Sequence, residues 1–376
     1  KTGVVKTNEN VLSDFLGQKR LDLDKPQRAC VRDVLKRLGR RRLWKHRGKV
    51  ALIIDGTSHA KARSRGKKRG MPGKGQVRVH NLPTDDTILV PGYQEIWVGI
   101  LLVDRTVLPL TRRLWSEKGP NCASMNLAEL AVIRLAADVI HETFKLGVIL
   151  VADSGYRRKD LLHWLKKVEG MDFVIRIESK LLIQAGESKG LLSRLAEWWP
   201  RRMKIQWREK SKKVLFSDVS ARQVSVRTES KEKVSFNVVC LTPVKENIDP
   251  MFLATTLTTE TVADLTTIVR LYSWRWGIET FFWMFKQALR ADSWRVFSCW
   301  EAIDRLLAAA HMAVLVLVML AEFAKKGRTA AMRRLMRQLN ELLRLRFARP
   351  PEMTLGRFIR LIALDFPSPP LAGVLL

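Results

Sequence analysis

The sequence predicts a mixed α/β fold, and three observations support this. Two β-branched apolar segments, residues 49–55 (KVALIID) and 147–153 (GVILVAD), each end in an aspartate. Runs of this kind are typical of buried strands. Residues 125–145 carry apolar side chains at helical spacing between the two segments. A chain of 376 residues can bury a sizeable core, and this length predicts two or three domains.

The charge of the chain indicates a polyanionic partner. There are 67 Lys and Arg against 37 Asp and Glu, which gives a formal net charge of +30. A folded, apolar-rich chain with this charge is typical of nucleic-acid-binding proteins. A structural protein of the ribosomal type would also be basic, but it would rarely contain 12 tryptophans. We therefore expect DNA or RNA as the partner.

Cysteine usage and apolar runs indicate where the protein works. Four scattered cysteines with no C-x-x-C pair predict neither a zinc site nor a disulfide framework, which fits a reducing cytoplasm. No signal peptide is visible, although the chain starts at Lys1 without Met, so a targeting segment can be missing. The longest apolar run, 306–321, is interrupted by His311 and predicts a buried core helix rather than a membrane span. We expect a cytoplasmic protein without a membrane partner.

Residues 1–48 form a basic N-terminal region. Pro26 predicts the start of a helix that ends near Leu38. The following run, 37–49, places seven basic residues around Trp44. This pattern predicts a helical region that contacts phosphates, and a solvated helix end is the alternative.

Residues 49–55 predict the first buried strand, with Asp55 at its end. Such an aspartate is usually a turn residue, and a catalytic carboxylate is the alternative. Residues 57–80 then contain eight Lys or Arg, no acid and several glycines. This composition predicts a loop that contacts DNA phosphates through residues such as Lys67, Lys68 and Arg69, and a disordered tether is the alternative. His59 in this loop is either a metal neighbour or, as we favour, solvent-facing.

The order of the next elements predicts a particular α/β arrangement. Residues 96–103 and 107–114 predict a hairpin around Asp104, which we expect to be a turn residue rather than a competing ligand. A helix at 125–145, a strand ending in Asp153, a helix at 159–168 and a strand at 173–177 follow. The order strand–strand–strand–helix–strand–helix–strand is RNase H-like, as in retroviral integrases. In this fold the first and fourth strands are neighbours, so Asp55 and Asp153 should lie side by side.

The second half of the chain predicts an inserted subdomain and a helical tail. Residues 49–177 would form the first part of the core and 251–300 the second part. Between them, 178–250 contains β-like segments at 214–216, 223–228 and 234–241 and polar turns, which predict a small inserted β subdomain. Trp198, Trp199 and Trp207 lie in this subdomain, where core aromatic residues are the default interpretation. Residues 301–376 predict helices at 302–325 and 329–347 that pack on the core or contact a second copy or DNA.

Residues 270–290 (RLYSWRWGIETFFWMFKQALR) predict one helix that is apolar nearly all round and therefore buried. At 100° per residue, a narrow stripe holds Tyr272, Arg275, Glu279 and Lys286. A buried carboxylate flanked by cations requires partners. A series of ion pairs internal to the helix is one explanation, since i,i+4 pairs are common.

The spacing Tyr-x2-Arg-x3-Glu-x6-Lys resembles the signature of cut-and-paste DDE transposases of insertion sequence family four. Asp-Gly-Thr at 55–57 and Ala-Asp-Ser-Gly-Tyr at 152–156 resemble the same family around its two aspartates. The resemblance implies a metal-binding catalytic triad of Asp55, Asp153 and Glu279 that holds two Mg²⁺ (or Mn²⁺) ions. It also implies DNA contacts by Tyr272, Arg275 and Lys286, and base stacking by one of the three insertion tryptophans. We add Arg157 to the expected DNA contacts.

The resemblance further implies cleavage of transposon ends and strand transfer into target DNA. The expected partners are double-stranded DNA, as terminal inverted repeats and target, and a second copy of the chain in a synaptic dimer. The location would be a bacterial cytoplasm, at the nucleoid. A catalytically silent DNA-binding relative and an RNase H-fold nuclease without strand transfer are the alternatives.

Overall fold

The computed structural model describes most of the chain between Asp22 and Lys326. The described residues are 22–60, 75–81, 86–120, 124–167, 171–208, 214–228, 231–244, 249–283, 285–286 and 300–326. The predicted contacts Lys67, Lys68 and Arg69 and the predicted helix at 329–347 lie outside these ranges.

The described residues form one mixed sheet with helices against it. The strands are β1 (Lys45–His46), β2 (Lys49–Ala60), β3 (Gly75–Asn81), β4 (Asp86–Leu101), β5 (Val107–Trp115), β6 (Gly147–Ala152), β7 (Met171–Ile177), β8 (Leu182–Ala185), β9 (Ser188–Leu191), β10 (Arg201–Arg208), β11 (Val214–Arg227), β12 (Lys233–Pro243) and β13 (Met251–Thr255). The helices are α1 (Asp24–Leu38), α2 (Met125–Phe144), α3 (Lys159–Lys167), α4 (Leu192–Ala196), α5 (Val262–Trp274), α6 (Gly277–Trp283) and α7 (Trp300–Lys326).

Five strands form the centre of the sheet in the order β5–β4–β2–β6–β7. The pairs β2–β4 and β4–β5 are antiparallel, whereas β2–β6 and β6–β7 are parallel. β2 and β6 are therefore neighbours, as predicted for the first and fourth strands. The apolar runs that predicted β2 and β6 are buried on both faces, as expected of parallel strands that helices cover.

The helices pack on both faces of this centre. Thr111 on β5 donates a hydrogen bond from Oγ1 to the carbonyl of Val132 on α2, while the adjacent Arg112 bonds to Asp304 on α7. Because neighbouring strand residues point to opposite faces, α2 and α7 lie on opposite sides of the sheet. The helix predicted at 125–145 is confirmed, and Ser124 caps its start by accepting from the backbone N–H of Leu127.

The strand that carries Asp55 is longer than predicted. We expected it to end at Asp55, but β2 continues to Ala60. The added residues pair with β4 up to the Ala60–Gly92 pair, whereas pairing with β6 ends at Ile53 and Val151. Asp55 therefore lies within a strand, just beyond the point at which its parallel neighbour stops.

The strands between residues 178 and 250 continue the central sheet. β13 pairs with β7, and the sheet then proceeds through β12, β11, β8 and β9. The β-like segments predicted at 214–216 and 223–228 are both parts of the single strand β11. This segment is thus rich in strands, as predicted, and its hydrogen bonds connect it to the core through β13.

The segment 270–290 is not the uninterrupted helix that we predicted. Helix α5 ends at Trp274 and α6 begins at Gly277. The intervening turn is tightened by i,i+3 hydrogen bonds, including Arg275 N to Tyr272 O at 3.2 Å and Glu279 N to Trp276 O at 3.1 Å. A Cβ on Gly277 would lie 2.9 Å from the carbonyl oxygen of Arg105, so close packing against the start of β5 accompanies the break.

Helix α7 has the length and composition of a membrane span over Trp300–Met319, but 50% of that stretch is buried in the protein. It packs beside β5 and α1. His311 near its middle is fully buried, with Nε2 3.1 Å from the carbonyl of Pro109 and Nδ1 2.6 Å from Gln27 Nε2. These contacts fit the predicted core helix.

Candidate active site

Asp55 and Asp153 each lie two residues beyond the last paired residues of two neighbouring strands. The parallel pairing of β2 and β6 runs from Lys49–Gly147 to Ile53–Val151. Continued by two residues, the same register places Asp55 beside Asp153. The backbone of Asp153 remains extended, with φ −84° and ψ −173°, so the strand geometry persists to that residue. In-register residues of parallel strands point to the same face, so both carboxyl groups lie on one side of the sheet.

Each aspartate is fixed by local backbone. Asp55 Oδ1 accepts a hydrogen bond from the N–H of Gly56 at 2.8 Å. Asp153 Oδ1 accepts from the N–H of Gly155 at 2.8 Å and thereby caps the short 3₁₀ turn Ser154–Tyr156. The residues after each aspartate therefore hold its side chain in place.

Arg275 joins the signature segment to β2. Its Nη1 donates to Asp55 Oδ2 at 2.9 Å, and its side chain is only 3% exposed. The guanidinium stacks over Trp276, with 4.2 Å from Cζ to the ring centroid. This ion pair spans the interior between a helix turn and a strand, so a series of pairs internal to the helix does not account for it.

Glu279 completes a group of three acids around Asp55. Burial raises the pKa of Asp55 to about 6; Arg275 opposes this rise, and the charges of Asp153 and Glu279 add to it. The three carboxyl groups are therefore close enough for their charges to interact. Protons, metal ions or other cations would all relieve this repulsion.

The other signature residues surround the same face. Tyr272 is buried, and burial raises its pKa, while the nearby charges of Arg275 and of Arg176 on β7 oppose the rise. Lys286 Nζ donates to the carbonyl oxygen of Ser58 at 2.6 Å, three residues beyond Asp55 on β2. The structure thus gathers all four residues of the predicted stripe at the edge where Asp55 and Asp153 lie.

A second layer of polar residues was missed by the sequence analysis. Glu129 on α2 is buried and forms an ion pair with Arg158. Burial raises the pKa of Glu129, Arg158 opposes the rise, and the charge of Asp153 adds to it. Tyr156 is also buried, and its pKa is raised by burial and then by the charges of Asp55, Glu129 and Asp153. The apolar periodicity of α2 carried no signal that Glu129 would face the two aspartates.

His59 belongs to a buried polar network rather than to a solvent-facing loop, which corrects our expectation. It lies on β2, and its Nε2 is 2.9 Å from Glu95 Oε2. Glu95 also accepts from Arg112 at 3.2 Å, and Arg112 in turn bonds to Asp304 at 2.8 Å. The network ties β2, β4 and β5 to α7, beside the segment that carries Glu279.

The predicted DNA contacts outside the signature have mixed outcomes. Trp198 is 84% exposed at the end of α4, whereas Trp199 is only 4% exposed. Trp207 lies in β10, but its side chain is outside the described part. Arg157 is exposed and pairs with Glu178 at 2.8 Å.

Asp104 is a turn residue, as favoured, and bonds to the N–H of Thr106 and to Arg42.

The donor chemistry of the acidic group fits a hard divalent cation, which prefers carboxylate oxygens. Among the described residues, however, no three His, Cys, Asp or Glu side chains converge as ligands of one metal ion. Asp55 offers one oxygen to Gly56 and the other to Arg275. Glu279 is near enough to influence the pKa of Asp55, and the guanidinium of Arg275 bonds to one of the oxygens that a cation would contact.

Residues 130–319 match a family model described as a transposase DDE domain. The matched region makes up half of the 376-residue chain. The chain belongs to the DDE transposase family. The match contains Asp153 and Glu279, whereas Asp55 lies before it. A comparison with curated proteins found no match.

Family membership establishes the general activity of this transposase. It is an enzyme that acts on DNA, and its process is DNA transposition, a form of DNA recombination. Enzymes of the DDE transposase family bind DNA and generally use divalent metal ions. The net charge of +30 agrees with DNA as the partner.

Proposed function

We propose that this transposase cuts and pastes a bacterial insertion sequence of family four, using Asp55, Asp153 and Glu279 as its catalytic carboxylates. The observation that carries the proposal is the register of β2 and β6, which brings Asp55 and Asp153 together with Glu279 nearby. The three acids come from distant parts of the chain, and Glu279 lies within the spacing Tyr272–Arg275–Glu279–Lys286. The core would be RNase H-like, with residues 178–250 as an inserted β subdomain.

The three carboxylates would hold two Mg²⁺ or Mn²⁺ ions. When bound, such ions activate an attacking oxygen and stabilise the leaving oxygen of a phosphoryl displacement. The protein's own residues hold the carboxylates on one face through Gly56, Gly155 and the sheet register. Arg275 limits the repulsion among the acids until the substrate arrives.

The bond changes need no energy source beyond the DNA itself. In cleavage, a P–O bond forms to water and the P–O3′ bond breaks, which leaves a 3′-hydroxyl on the element. In strand transfer, that hydroxyl forms a P–O bond to a target phosphate while one P–O bond of the target breaks. Arg275 and Lys286 border the acids, and each would bind a DNA phosphate through charge-assisted hydrogen bonds.

The proposed DNA surface extends beyond the acids. Of the two tryptophans whose side chains the structure describes, Trp198 is the better stacking candidate because its ring is exposed, whereas Trp199 packs in the core. Stacking on a base would contribute about 1–3 kcal/mol. We include the basic residues 1–48, Lys67, Lys68, Arg69 and Arg157 in the surface, and we propose a homodimer that pairs two DNA ends in the cytoplasm.

The test is cleavage of the element's terminal-repeat DNA with Mg²⁺, comparing wild type, Asp55→Asn and Glu279→Gln. We expect both variants to bind the DNA as the wild type does and to lose cleavage by at least 10³-fold, an order-of-magnitude figure for lost charge stabilisation. Both substitutions keep the size of the side chain, so we expect the variants to fold. Thermal unfolding checks this. Cleavage by either variant at the wild-type rate would refute the triad.

Strand transfer is tested separately with pre-cut ends that carry a 3′-hydroxyl, incubated with supercoiled target DNA. Joined products support transposition. Cleavage without joining would indicate an RNase H-fold nuclease instead. Binding without cleavage by the wild type would indicate the catalytically silent alternative.

A further inference from the structure

The row of in-register residues at the active-site edge continues onto β7. The parallel pairing of β6 and β7 runs from Val148–Met171 to Ala152–Ile175. One more step in this register places Asp153 beside Arg176. Neighbouring strands lie about 4.8 Å apart, so the edge presents Asp55, Asp153 and Arg176 in sequence across three strands.

All three residues point to the same face of the sheet. Ile53, Val151 and Val174 are mutually paired across the three strands, and each lies two residues before a member of the row. Because side chains alternate along a strand, the row shares the face of these paired residues. This is the face on which Arg275 reaches Asp55 and Tyr272 reaches Arg176.

Arg176 is exposed although its strand is internal. β7 lies between β6 and β13; on the face of Arg176, Val174 is buried and Asp172 is partly exposed. An exposed arginine in such a strand shows that solvent reaches this edge of the sheet beside α5. The acids and this arginine therefore line the same accessible surface.

The contacts of Arg176 orient it without neutralising it. Its charge opposes the rise that burial causes in the pKa of Tyr272, so Arg176 lies near a neutral hydroxyl, and none of the ion pairs between described residues includes it. Arg275, by contrast, is buried and paired with Asp55. A guanidinium held by a neutral partner keeps donors for a ligand, and a planar arrangement of N–H groups fits a phosphate.

We propose that Arg176 binds a backbone phosphate of the DNA end, on the β7 side of the acids, and that Tyr272 orients it. This inference rests on the proposed function, because it takes the DNA end to lie over the acids. The signature residues Arg275 and Lys286, which contact β2, would act from the β2 side, and Arg176 would hold the opposite side. The substrate would then be fixed at both sides of the acids.

The test combines variants of the protein with variants of the DNA. Wild type, Arg176→Ala and Arg176→Lys are titrated with terminal-repeat DNA over a range of salt concentrations. A parallel series of DNA ends carries a single neutral methylphosphonate at each phosphate near the cleavage site. Arg134→Ala is the matched control. Arg134 is an exposed arginine on α2, at the other face of the sheet, and its aromatic partner is Trp164.

We expect Arg176→Ala to reduce the slope of log K against log salt by about 1, the loss of one phosphate contact. One methylphosphonate position that weakens the wild type should have no further effect on Arg176→Ala. Arg176→Lys should restore the charge and most of the salt slope, and Arg134→Ala should match the wild type. Tyr272→Phe should reduce the effect of the methylphosphonate at that same position on DNA binding, since it removes the hydroxyl that orients Arg176.

The inference fails if Arg176→Ala folds, binds with the wild-type slope and keeps every methylphosphonate effect of the wild type. This failure differs from that of the proposed function, in which the wild type itself would not cleave terminal-repeat DNA. If Arg176→Ala proved unstable, Arg176→Gln and Arg176→Lys would be compared instead, and equal methylphosphonate profiles for those two would overturn the proposal.

Discussion

Arg275 combines an electrostatic role with a structural one. It neutralises part of the charge at Asp55, stacks on Trp276 and occupies the turn between α5 and α6. A buried ion pair is expensive to break, because removal of one partner leaves an uncompensated charge. Arg275 therefore couples the turn between α5 and α6 to the carboxylate of Asp55 on β2. Movement of either one would disturb the ion pair.

His311 provides a pH-dependent prediction at the residue scale. Burial lowers its pKa to about 3, the carbonyl of Pro109 opposes this, and Arg112 adds to the lowering. The unfolded chain takes up this proton near the ordinary histidine pKa of about 6.5. The unfolded state therefore binds more protons between these values, and the contribution of His311 to stability is lost as the pH falls from about 6.5 toward 3.

We expect the wild type to lose roughly 4–5 kcal/mol of unfolding free energy from this residue across that range. His311→Gln should lack this component, although the substitution itself destabilises the fold. The measurement is urea unfolding at several pH values, in which the difference between variant and wild type should narrow in acid. The exposed His141→Gln serves as the control, and a pH-independent difference for His311→Gln would contradict the assignment.

At the residue scale, sequence spacing predicted the four signature positions and both aspartates because each stands in a recognisable local pattern. Glu129, Arg158 and Arg176 had no such pattern. Their proximity to the site results from strand register and helix packing, which join residues that are far apart in the chain. His59 was assigned to a loop because the length of β2 beyond Asp55 could not be inferred from a run of polar residues.

At the scale of elements, the turn between α5 and α6 positions Glu279. Gly277 lies against β5, and a Cβ there would meet Val107 Cγ2 at 2.8 Å and the carbonyl oxygen of Arg105 at 2.9 Å. The carbonyl belongs to the backbone and cannot rotate away as a side chain would. A larger residue would have to push α6 away from the sheet, and Glu279, two residues later, would move with it.

We therefore expect Gly277→Ala to cost about 1–3 kcal/mol of stability, as overpacking does. Its cleavage rate should fall by more than this loss explains, because about 1 Å of displacement at a reacting group can cost on the order of 10²-fold. Gly190→Ala is the control, since a Cβ there meets only Leu195 at 3.6 Å or more. Wild-type cleavage by a folded Gly277→Ala protein would contradict this account.

Periodicity predicted most elements well, because the exposed and buried faces of α2, α3 and α7 alternate at helical spacing. The break before Gly277 could not be predicted in this way. Its cause is the backbone of β5, about which the sequence of the helix carries no information. The merging of two predicted β segments into β11 has a similar origin, since long-range pairing with β12 sustains the strand through its polar residues.

The whole molecule combines a large apolar sheet with an extreme positive charge of +30. Contacts with six to ten phosphates would lower DNA affinity by about 10³–10⁵ between 50 and 200 mM salt.

Replacing Lys67, Lys68 and Arg69 with Gln should reduce the slope of log K against log salt by about 3, or roughly 0.9 for each contact. The comparison is a triple replacement of the exposed residues Arg134, Lys145 and Lys166 with Gln, which should leave the slope unchanged if those residues do not contact DNA.

At the scale of the molecule, composition predicted the partner class, and the order of elements predicted the central sheet. The continuity of the sheet beyond β7 was not predictable, because it depends on β13 pairing with a strand that precedes it by more than 70 residues. Spacing alone also left open which tryptophan is exposed. Solvent exposure is decided by packing, and the adjacent Trp198 and Trp199 differ completely in this respect.

The wide separation of the site residues also sets the order in which a newly made chain becomes active. Asp55 and Arg275 are 220 residues apart, so at about 5–20 residues per second the ribosome delivers the second roughly 10–45 s after the first. During the later part of that interval, once Asp153 has been made, the two aspartates exist without Arg275 or Glu279. On the proposed triad, a nascent or prematurely ended chain would lack the third carboxylate and could not cut DNA.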